Sequence, residues 1–275
     1  MRKKVRILSW IILCSIGIIL WYSLSHIMDQ SPPEEKPAVT IAAWNLEVFG
    51  PAKAAKQNLL QEYAAIIDDF DIVIVQEIRD KQETAFKALC DYLPDYTCNL
   101  STRAGRSQSK EQYGVLYRNM SLETGKQITL MQWYDYNPDE QDRWERPPLA
   151  VTFDVEGYQF TLYGIHVKPA EVAQELRALE DIVVNEGNVI ILGDVNADCG
   201  YYDAHKKKEF VAWHWIITDK EDTTVGKASC AYDRILLNDD AFAEYGTKGI
   251  VTEGIFKEHS DHYLVWVGLV PEDRE

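Results

Sequence analysis

A chain of 275 residues with 46% hydrophobic content can bury one large α/β core or two small ones, and that content excludes global disorder. The formal charge is -16; the basic residues Arg2, Lys3, Lys4 and Arg6 leave 24 of the 28 Lys and Arg for residues 29–275, against all 44 Asp and Glu, a net of -20 there. A protein that coats polyanions passively is basic, so that class is disfavoured, although an acidic enzyme can act on phosphodiesters when divalent cations and a few arginines bridge the gap.

Residues 1–28 read as a targeting segment. Met1–Arg6 is basic, and Ile7 to Leu24 is an uncharged run of 18 residues, long for a signal core and just long enough to span a bilayer. The basic flank predicts a cytoplasmic N-terminus. Ser23-Leu24-Ser25 leaves cleavage open, so the segment is a membrane anchor or a signal, and either places the remainder outside the cytoplasm. Residues 29–38, charged and proline-rich, read as an extended linker.

Val39–Asn45 reads as the first strand, and Ala54–Phe70 as a helix carrying Leu59, Leu60, Tyr63, Ile66 and Ile67. A strand at Asp71–Gln76, a helix at Lys81–Leu93 and a polar, basic loop at Ser101–Lys110 follow. Strands are expected at Gly114–Tyr117, Leu149–Val155 and Gln159–Ile165, then a helix over Ala170–Asn185. Val189–Leu192, Tyr232–Leu237 and Leu264–Leu269 complete the strands. Some strands alternate with helices and others pair as hairpins, which predicts mixed sheets with helices outside. Beyond the targeting segment the cysteines are Cys90, Cys98, Cys199 and Cys230; two bridges allow three pairings, of which nearest neighbours give Cys90–Cys98 and Cys199–Cys230.

Polar groups sit at the ends of the strand-like runs. Asn45 follows the first, Glu77 the second and His166 the strand at Gln159–Ile165. Gly193, Asp194, Asn196 and Asp198 follow Val189–Leu192, and Ser260-Asp261-His262 precedes the last strand. Singly, these are a core histidine or a turn aspartate; jointly they fit the needs of phosphate-ester hydrolysis. That reaction needs a positioned water, charge neutralisation at phosphorus and a stabilised leaving oxygen. Glu77 is the best ligand for a hard divalent ion, with Asn45 and Asp261 beside it. Asp194 and Asn196 can orient water and a phosphate oxygen.

The ordered blocks Asn45, Gln76-Glu77-Ile-Arg79-Asp80, His166, Gly193-Asp-Val-Asn-Ala-Asp-Cys199, Asp222-Thr-Thr224, Cys230-Ala-Tyr-Asp-Arg-Ile235 and Ser260-Asp-His-Tyr263 resemble the endonuclease/exonuclease/phosphatase superfamily, in particular its deoxyribonuclease I branch. The resemblance spans about residues 39–270 and makes 39–271 the nuclease domain. It implies a four-layer sandwich of two mixed β-sheets flanked by helices. It also implies a Mg²⁺- or Mn²⁺-dependent endonuclease, acting as a monomer on DNA, expected to be double-stranded, with little sequence preference and leaving 5′-phosphate ends. His166 and His262 then bracket the scissile phosphate, held by Glu111 and Asp233 respectively, with His262 on the base side and His166 on the acid side. Arg79 and Arg146 are the implied DNA contacts, Arg106 a third, with Lys110 assisting. Asp222 and Thr224 match ligands of a structural Ca²⁺, and Cys199–Cys230 matches the family's disulfide.

Two DNA-facing positions depart from the pattern. Glu47 stands where that branch has an arginine, and Ser109 where it has a groove-stacking tyrosine. Gly226 and Ala228 replace calcium-loop residues. The rival readings are a phosphomonoesterase or phospholipid phosphodiesterase of the same superfamily, and a non-catalytic metal- or DNA-binding module.

Overall fold

Strand β1 (Val39–Phe49) is buried on both faces: Val39, Ile41 and Ala43 point to one side, Ala42, Trp44 and Leu46 to the other. A strand without a wet face must be covered twice, and this one fixes the layering. The coordinates are a computed structural model that describes residues 37–271 apart from 107, 204, 205 and 207. The expected targeting segment at 1–28 and nearly all of the expected linker at 29–38 lie outside the described residues, as do His26 and His205. Among the described residues no helix is long and apolar enough to cross a membrane.

After β1 come α1 (Pro51–Ala54), α2 (Gln57–Ile67), β2 (Ile72–Ile78), α3 (Thr84–Cys90), β3 (Tyr96–Leu100), β4 (Gln112–Arg118), β5 (Ile128–Asp135), β6 (Leu149–Val155) and β7 (Tyr158–Gly164). A short 3₁₀ turn (Pro169–Glu171) leads into α4 (Val172–Glu180), then β8 (Asn188–Asp194), β9 (His214–Trp215), β10 (Asp233–Leu237), α5 (Asp239–Ala243), β11 (Tyr245–Val251) and β12 (Leu264–Leu269). Two six-stranded mixed sheets result, ordered β11-β12-β1-β2-β4-β3 and β5-β6-β7-β8-β10-β9. Each has one parallel pair at its centre, β1 with β2 and β7 with β8, and is antiparallel elsewhere.

Three apolar clusters fill the layers. Ile41, Ile74 and Val265 from the first sheet meet Leu162, Ile190 and Ile235 from the second. Trp44 and Val73 pack on the outer face against Tyr63 of α2 and Phe86 of α3. Ile191 and Leu236 pack against Leu176 and Leu179 of α4. Helix, sheet, sheet and helix thus form the four-layer sandwich. Both disulfides, Cys90–Cys98 and Cys199–Cys230, are present.

The expected helices are shorter than their apolar patterns. The 54–70 segment contracts to α2, with α1 lying just before it, 81–93 contracts to α3, and 170–185 begins as the 3₁₀ turn and ends at Glu180. Pro51 and Pro169 set those starts, since proline fits a first helical turn, where no intrahelical N–H bond is lost.

Candidate active site

The inward-facing residues of the central strands change character at one edge. Along β1 the inward series Val39, Ile41, Ala43 continues to Asn45, and along β2 Ile72 and Ile74 continue to Gln76. On β8, Ile190 and Leu192 continue to Asp194. The parallel strands all end here, whereas the antiparallel β10 and β12 begin here, with Asp233 in register with Asp194 and His262 just before Leu264. The topology therefore gathers polar residues from far-separated blocks into the last layer of the inter-sheet core.

Asp194 is the hub. Its Oδ2 accepts a hydrogen bond from Asn45 Nδ2 at 3.0 Å and faces His166 Nε2 at 3.3 Å and His262 Nε2 at 3.6 Å. Each histidine has a carboxylate behind it: Glu111 Oε1 lies 2.5 Å from His166 Nδ1, and Asp233 Oδ2 lies 2.8 Å from His262 Nδ1. Burial opposes the charge on Glu111, but the His166 imidazolium, Arg146 and Arg79 outweigh it and hold that carboxyl at about 2. Burial also opposes a charge on His166, yet Glu111 and Asp194 raise it above the ordinary imidazole value. For His262 the same contest, won by Asp233 and Asp194, pushes it up to about 10. These are two buried imidazoles whose charged forms are favoured by the carboxylates behind them and whose outer nitrogens point at one carboxylate.

Glu77 Oε1 receives Asn45 Nδ2 at 3.3 Å, and its Oε2 receives the Val48 N–H at 2.9 Å. Glu77 and Asn196 adopt left-handed backbone, with φ of 61° and 53°, as do Glu47 (42°) and Val48 (53°). Such strain in non-glycine residues persists only where the surroundings over-determine it. Asn196 donates its Nδ2 to the Val167 carbonyl at 2.9 Å, and its own N–H bonds Asp194 Oδ1 at 3.2 Å. Gly193, at φ 135°, is required: a Cβ there would lie 2.2 Å from the Ile165 carbonyl oxygen and 2.7 Å from Gln76 Nε2.

The donor set fits a hard divalent cation. Glu77 Oε1 and Asp194 Oδ2 both accept from Asn45 Nδ2, so a carboxylate oxygen from each sheet meets at one neutral amide. Two clusters have ligand atoms close enough to share an ion: Glu77 with Glu111 and His166, and Asp194 with Asp233 and His262. Asp261 lies at the margin, its Oδ1 3.7 Å from His262 Nε2 and its Oδ2 3.4 Å from Lys257 Nζ.

The arginines divide. Arg79 Nη2 lies 2.9 Å from Glu77 and 3.3 Å from Glu111, and Arg146 Nε bonds the His166 carbonyl at 2.9 Å and faces Glu111 at 3.3 Å. Arg79 Nε and Arg146 Nη2 are buried with no partner. Arg106, expected to face DNA, is instead caged by carboxylates: Asp142 at 2.8 Å, Glu171 at 3.1 Å and Glu145 at 4.0 Å. The loop's own anions have taken its charge. Lys110 has its carbonyl accepting from Arg103 Nη2 at 2.6 Å.

Glu47 does not face the site uncompensated. Lys257 lies 3.5 Å and Lys53 3.9 Å from its carboxylate. In the expected calcium loop, Asp222 Oδ1 accepts from Thr224 N–H at 3.0 Å, Thr224 Oγ1 at 2.8 Å and Cys230 N–H at 3.2 Å. Thr224 Oγ1 also reaches the Ala228 carbonyl at 2.7 Å, so the loop closes on itself.

Sequence reasoning gave no role to several residues that brace the site. Ser260 Oγ donates to the Asn45 carbonyl at 2.5 Å and accepts the His262 N–H at 3.0 Å, and Trp44 Nε1 donates to the His262 carbonyl at 2.9 Å. The Tyr113 hydroxyl accepts the His166 N–H at 3.0 Å. Tyr113 could have been found from its place two residues after Glu111. Outside the site, His214 stacks on Phe242 and His259 bonds Glu62 at 2.8 Å.

Comparison with known proteins agrees with this geometry. Residues 42–262 match the Endonuclease/Exonuclease/phosphatase family. The chain is 32% identical to mouse Deoxyribonuclease-1-like 2 (Mus musculus) over 73% of this chain and 77% of that protein. It is 30% identical to human Deoxyribonuclease-1 (Homo sapiens), covering 84% of this chain and 92% of that one. Among solved structures, a mannosyl-6-phosphatase of Bacteroides thetaiotaomicron superposes with a TM-score of 0.60 at 18% identity, covering 85% of this chain and all (100%) of the other. A D. rerio TDP2 in complex with a single-strand DNA product gives 0.59 at 16% identity, covering 83% and 97%. At those identities the structural likeness speaks for the fold, while the sequence matches speak for kinship. The chain belongs to the Endonuclease/Exonuclease/phosphatase family, as a deoxyribonuclease I-like member and a hydrolase acting on phosphodiester bonds.

Proposed function

We propose that this protein is an extracytoplasmic, Mg²⁺- or Mn²⁺-dependent endonuclease that hydrolyses DNA with little sequence preference, leaving 5′-phosphate ends. The observation that carries the reading is the junction at Asp194 Oδ2, where two carboxylate-backed histidines meet 3.3 and 3.6 Å away. A binding module has no need of two buried, carboxylate-backed imidazoles converging on one carboxylate. The two disulfides fit an oxidising compartment, reached through residues 1–28 as anchor or signal.

In this reading Asp194 and Asn196 orient the attacking water, and Asp194 takes its proton as the new P–O bond forms. The bond from phosphorus to the 3′ oxygen breaks, and that oxygen receives a proton from His166, whose ring Glu111 orients through Nδ1. His262, backed by Asp233, is on the base side, with its Nε2 3.6 Å from Asp194 Oδ2. The unpartnered buried N–H groups of Arg79 and Arg146 add donors for the same phosphate. A divalent cation held by Glu77 with Asn45, and Asp261 at the margin, would polarise the phosphate and offset the carboxylates. A Ca²⁺ at Asp222 and Thr224 would be structural. The substrate is duplex DNA, and the enzyme works as a monomer.

The test is nicking of supercoiled plasmid by the full chain, made under oxidising conditions, with Mg²⁺, with Mg²⁺ plus Ca²⁺, and with EDTA. Metal-dependent relaxation is expected, and His262→Ala should lower it by about a hundredfold or more. Wild type that leaves plasmid intact but cleaves sugar phosphates or phospholipids would replace this reading with the rival one.

A further inference from the structure

Helix α1 is a single turn that buries none of its four residues, yet its Lys53 carries a cation into the protein. The Lys53 side chain is 16% exposed, and Nζ donates to two main-chain carbonyls, Leu46 at 2.8 Å and His259 at 2.6 Å. Burial opposes an ammonium there and pulls its pKa below the ordinary lysine value, while the nearby charges of Glu47, Asp261 and Glu77 favour it. A charge kept at that cost, on a turn that adds little to the core, points to a role at the two carbonyls.

Each carbonyl belongs to a peptide that sets a site residue. The Leu46 C=O and the Glu47 N–H are two ends of one planar unit. Lys53 holds its oxygen, and its N–H donates to Asn45 Oδ1 at 2.9 Å. The Asn45 amide is thereby turned so that Nδ2 meets Glu77 and Asp194. One residue further on, the Val48 N–H that holds Glu77 Oε2 sits on left-handed backbone, which a β-branched residue keeps only under constraint. The far side of this turn is closed by the Arg79 N–H, which donates to the Phe49 carbonyl at 2.7 Å. The His259 carbonyl lies one residue before Ser260, whose hydroxyl returns to the Asn45 carbonyl at 2.5 Å. It also accepts from the Tyr63 hydroxyl. One ammonium thus joins the end of β1 to the turn that carries Asp261 and His262.

We infer that Lys53 is a positioning residue: by bonding the Leu46 and His259 carbonyls it fixes the Asn45 amide and the Glu77 carboxylate, the groups that would hold a divalent cation. This rests on the metal-dependent reading above. Lys53 itself contacts neither the cation nor the phosphate, so its loss should show in ion affinity and turnover and not in DNA binding.

The test is Mn²⁺ binding by the full chain without DNA, read from the electron paramagnetic resonance of the free ion, beside plasmid nicking and thermal melts. The ion lost in Glu77→Gln is the one counted. Lys53→Met should weaken its binding by about tenfold and lower kcat by a similar factor, the usual scale for a residue behind a metal ligand, with KM for DNA unchanged. Lys53→Arg, which keeps the charge and the donors, should recover most of both. Tyr63→Phe takes a donor from the His259 carbonyl alone and should leave Mn²⁺ binding at wild-type strength. Should Lys53→Met not fold, Lys53→Gln, uncharged but still a donor, carries the same measurement with a smaller loss. A folded Lys53→Met or Lys53→Gln variant that binds Mn²⁺ as wild type does, with only its Tm lowered, would overturn the positioning role and leave the nuclease reading standing. Wild type that binds Mn²⁺ but leaves plasmid intact would overturn the nuclease reading, with the Lys53 role still decided by the ion. Wild type that binds no Mn²⁺ would overturn both.

Discussion

At the scale of single residues, the site depends on charges that would not be tolerated apart. Glu111 is buried with a carboxyl held at about 2 against an ordinary 4.5, because its partners are His166, Arg146 and Arg79. The sign of the consequence follows from linkage. A depressed carboxyl contributes stability that is present above its unfolded value and lost as pH falls from about 4.5 towards 2. The raised His166 contributes stability that is present below its ordinary 6.5 and lost as pH rises through its folded value. The pair is therefore most stabilising between those ordinary values. Glu111→Gln should lower Tm most at about pH 5–6, with the gap to wild type closing towards pH 2. Parallel Tm–pH curves for the two proteins in EDTA would show that the Glu111–His166 pair is not what the charges suggest.

At the scale of elements, polar residues collect where they do because the central strands of each sheet run parallel and end together. The sequence shows this directly, since Asn45, Glu77, His166 and Asp194 each close a β-branched run. Leu149–Val155 and Leu264–Leu269 were legible to the residue, being apolar runs buried along almost their whole length. The strands β3, β5, β9 and β11 were missed. All four are sheet edges, and β5 and β11 also carry register shifts that break a period of two. The site's fine structure was less legible than its membership. That Arg106 is caged by Asp142, Glu145 and Glu171 follows from three loops meeting, which no local pattern encodes. Gly193 was read only as a strand terminator, yet it is the contact between elements that sets the site: the end of β7 crosses so near β8 that a Cβ would sit 2.2 Å from a carbonyl oxygen. Gly193→Ala adds both that clash and a side chain at a φ that favours glycine. It should cost about 3 kcal/mol or more in stability and lower Tm by roughly 6–12 °C. An unchanged Tm would mean that the strands can part there at no cost.

At the scale of the whole molecule, the puzzle is how a chain of charge -16 handles a polyanion. The described arginines near the site do not form a basic face: Arg106 is neutralised, and Arg79 and Arg146 each share Glu111. Binding must then rest on few phosphate contacts, supplemented by a cation in the carboxylate cluster and by uncharged contacts. Each phosphate neutralised on duplex DNA contributes about -0.9 to the slope of log K against log salt. Two arginines therefore predict a slope of about -2, far shallower than that of a basic DNA-coating protein. The measurement is anisotropy of a labelled short duplex titrated in EDTA at several NaCl concentrations. Arg106→Gln should leave the slope unchanged, because that side chain already has its counterions within the protein. A much steeper slope for wild type, or a loss of about one unit in the Arg106 variant, would mean that the Asp142 and Glu171 pairs open to release Arg106 when DNA arrives. An acidic nuclease with a shallow slope keeps its affinity at high ionic strength, where a basic competitor loses most of its own.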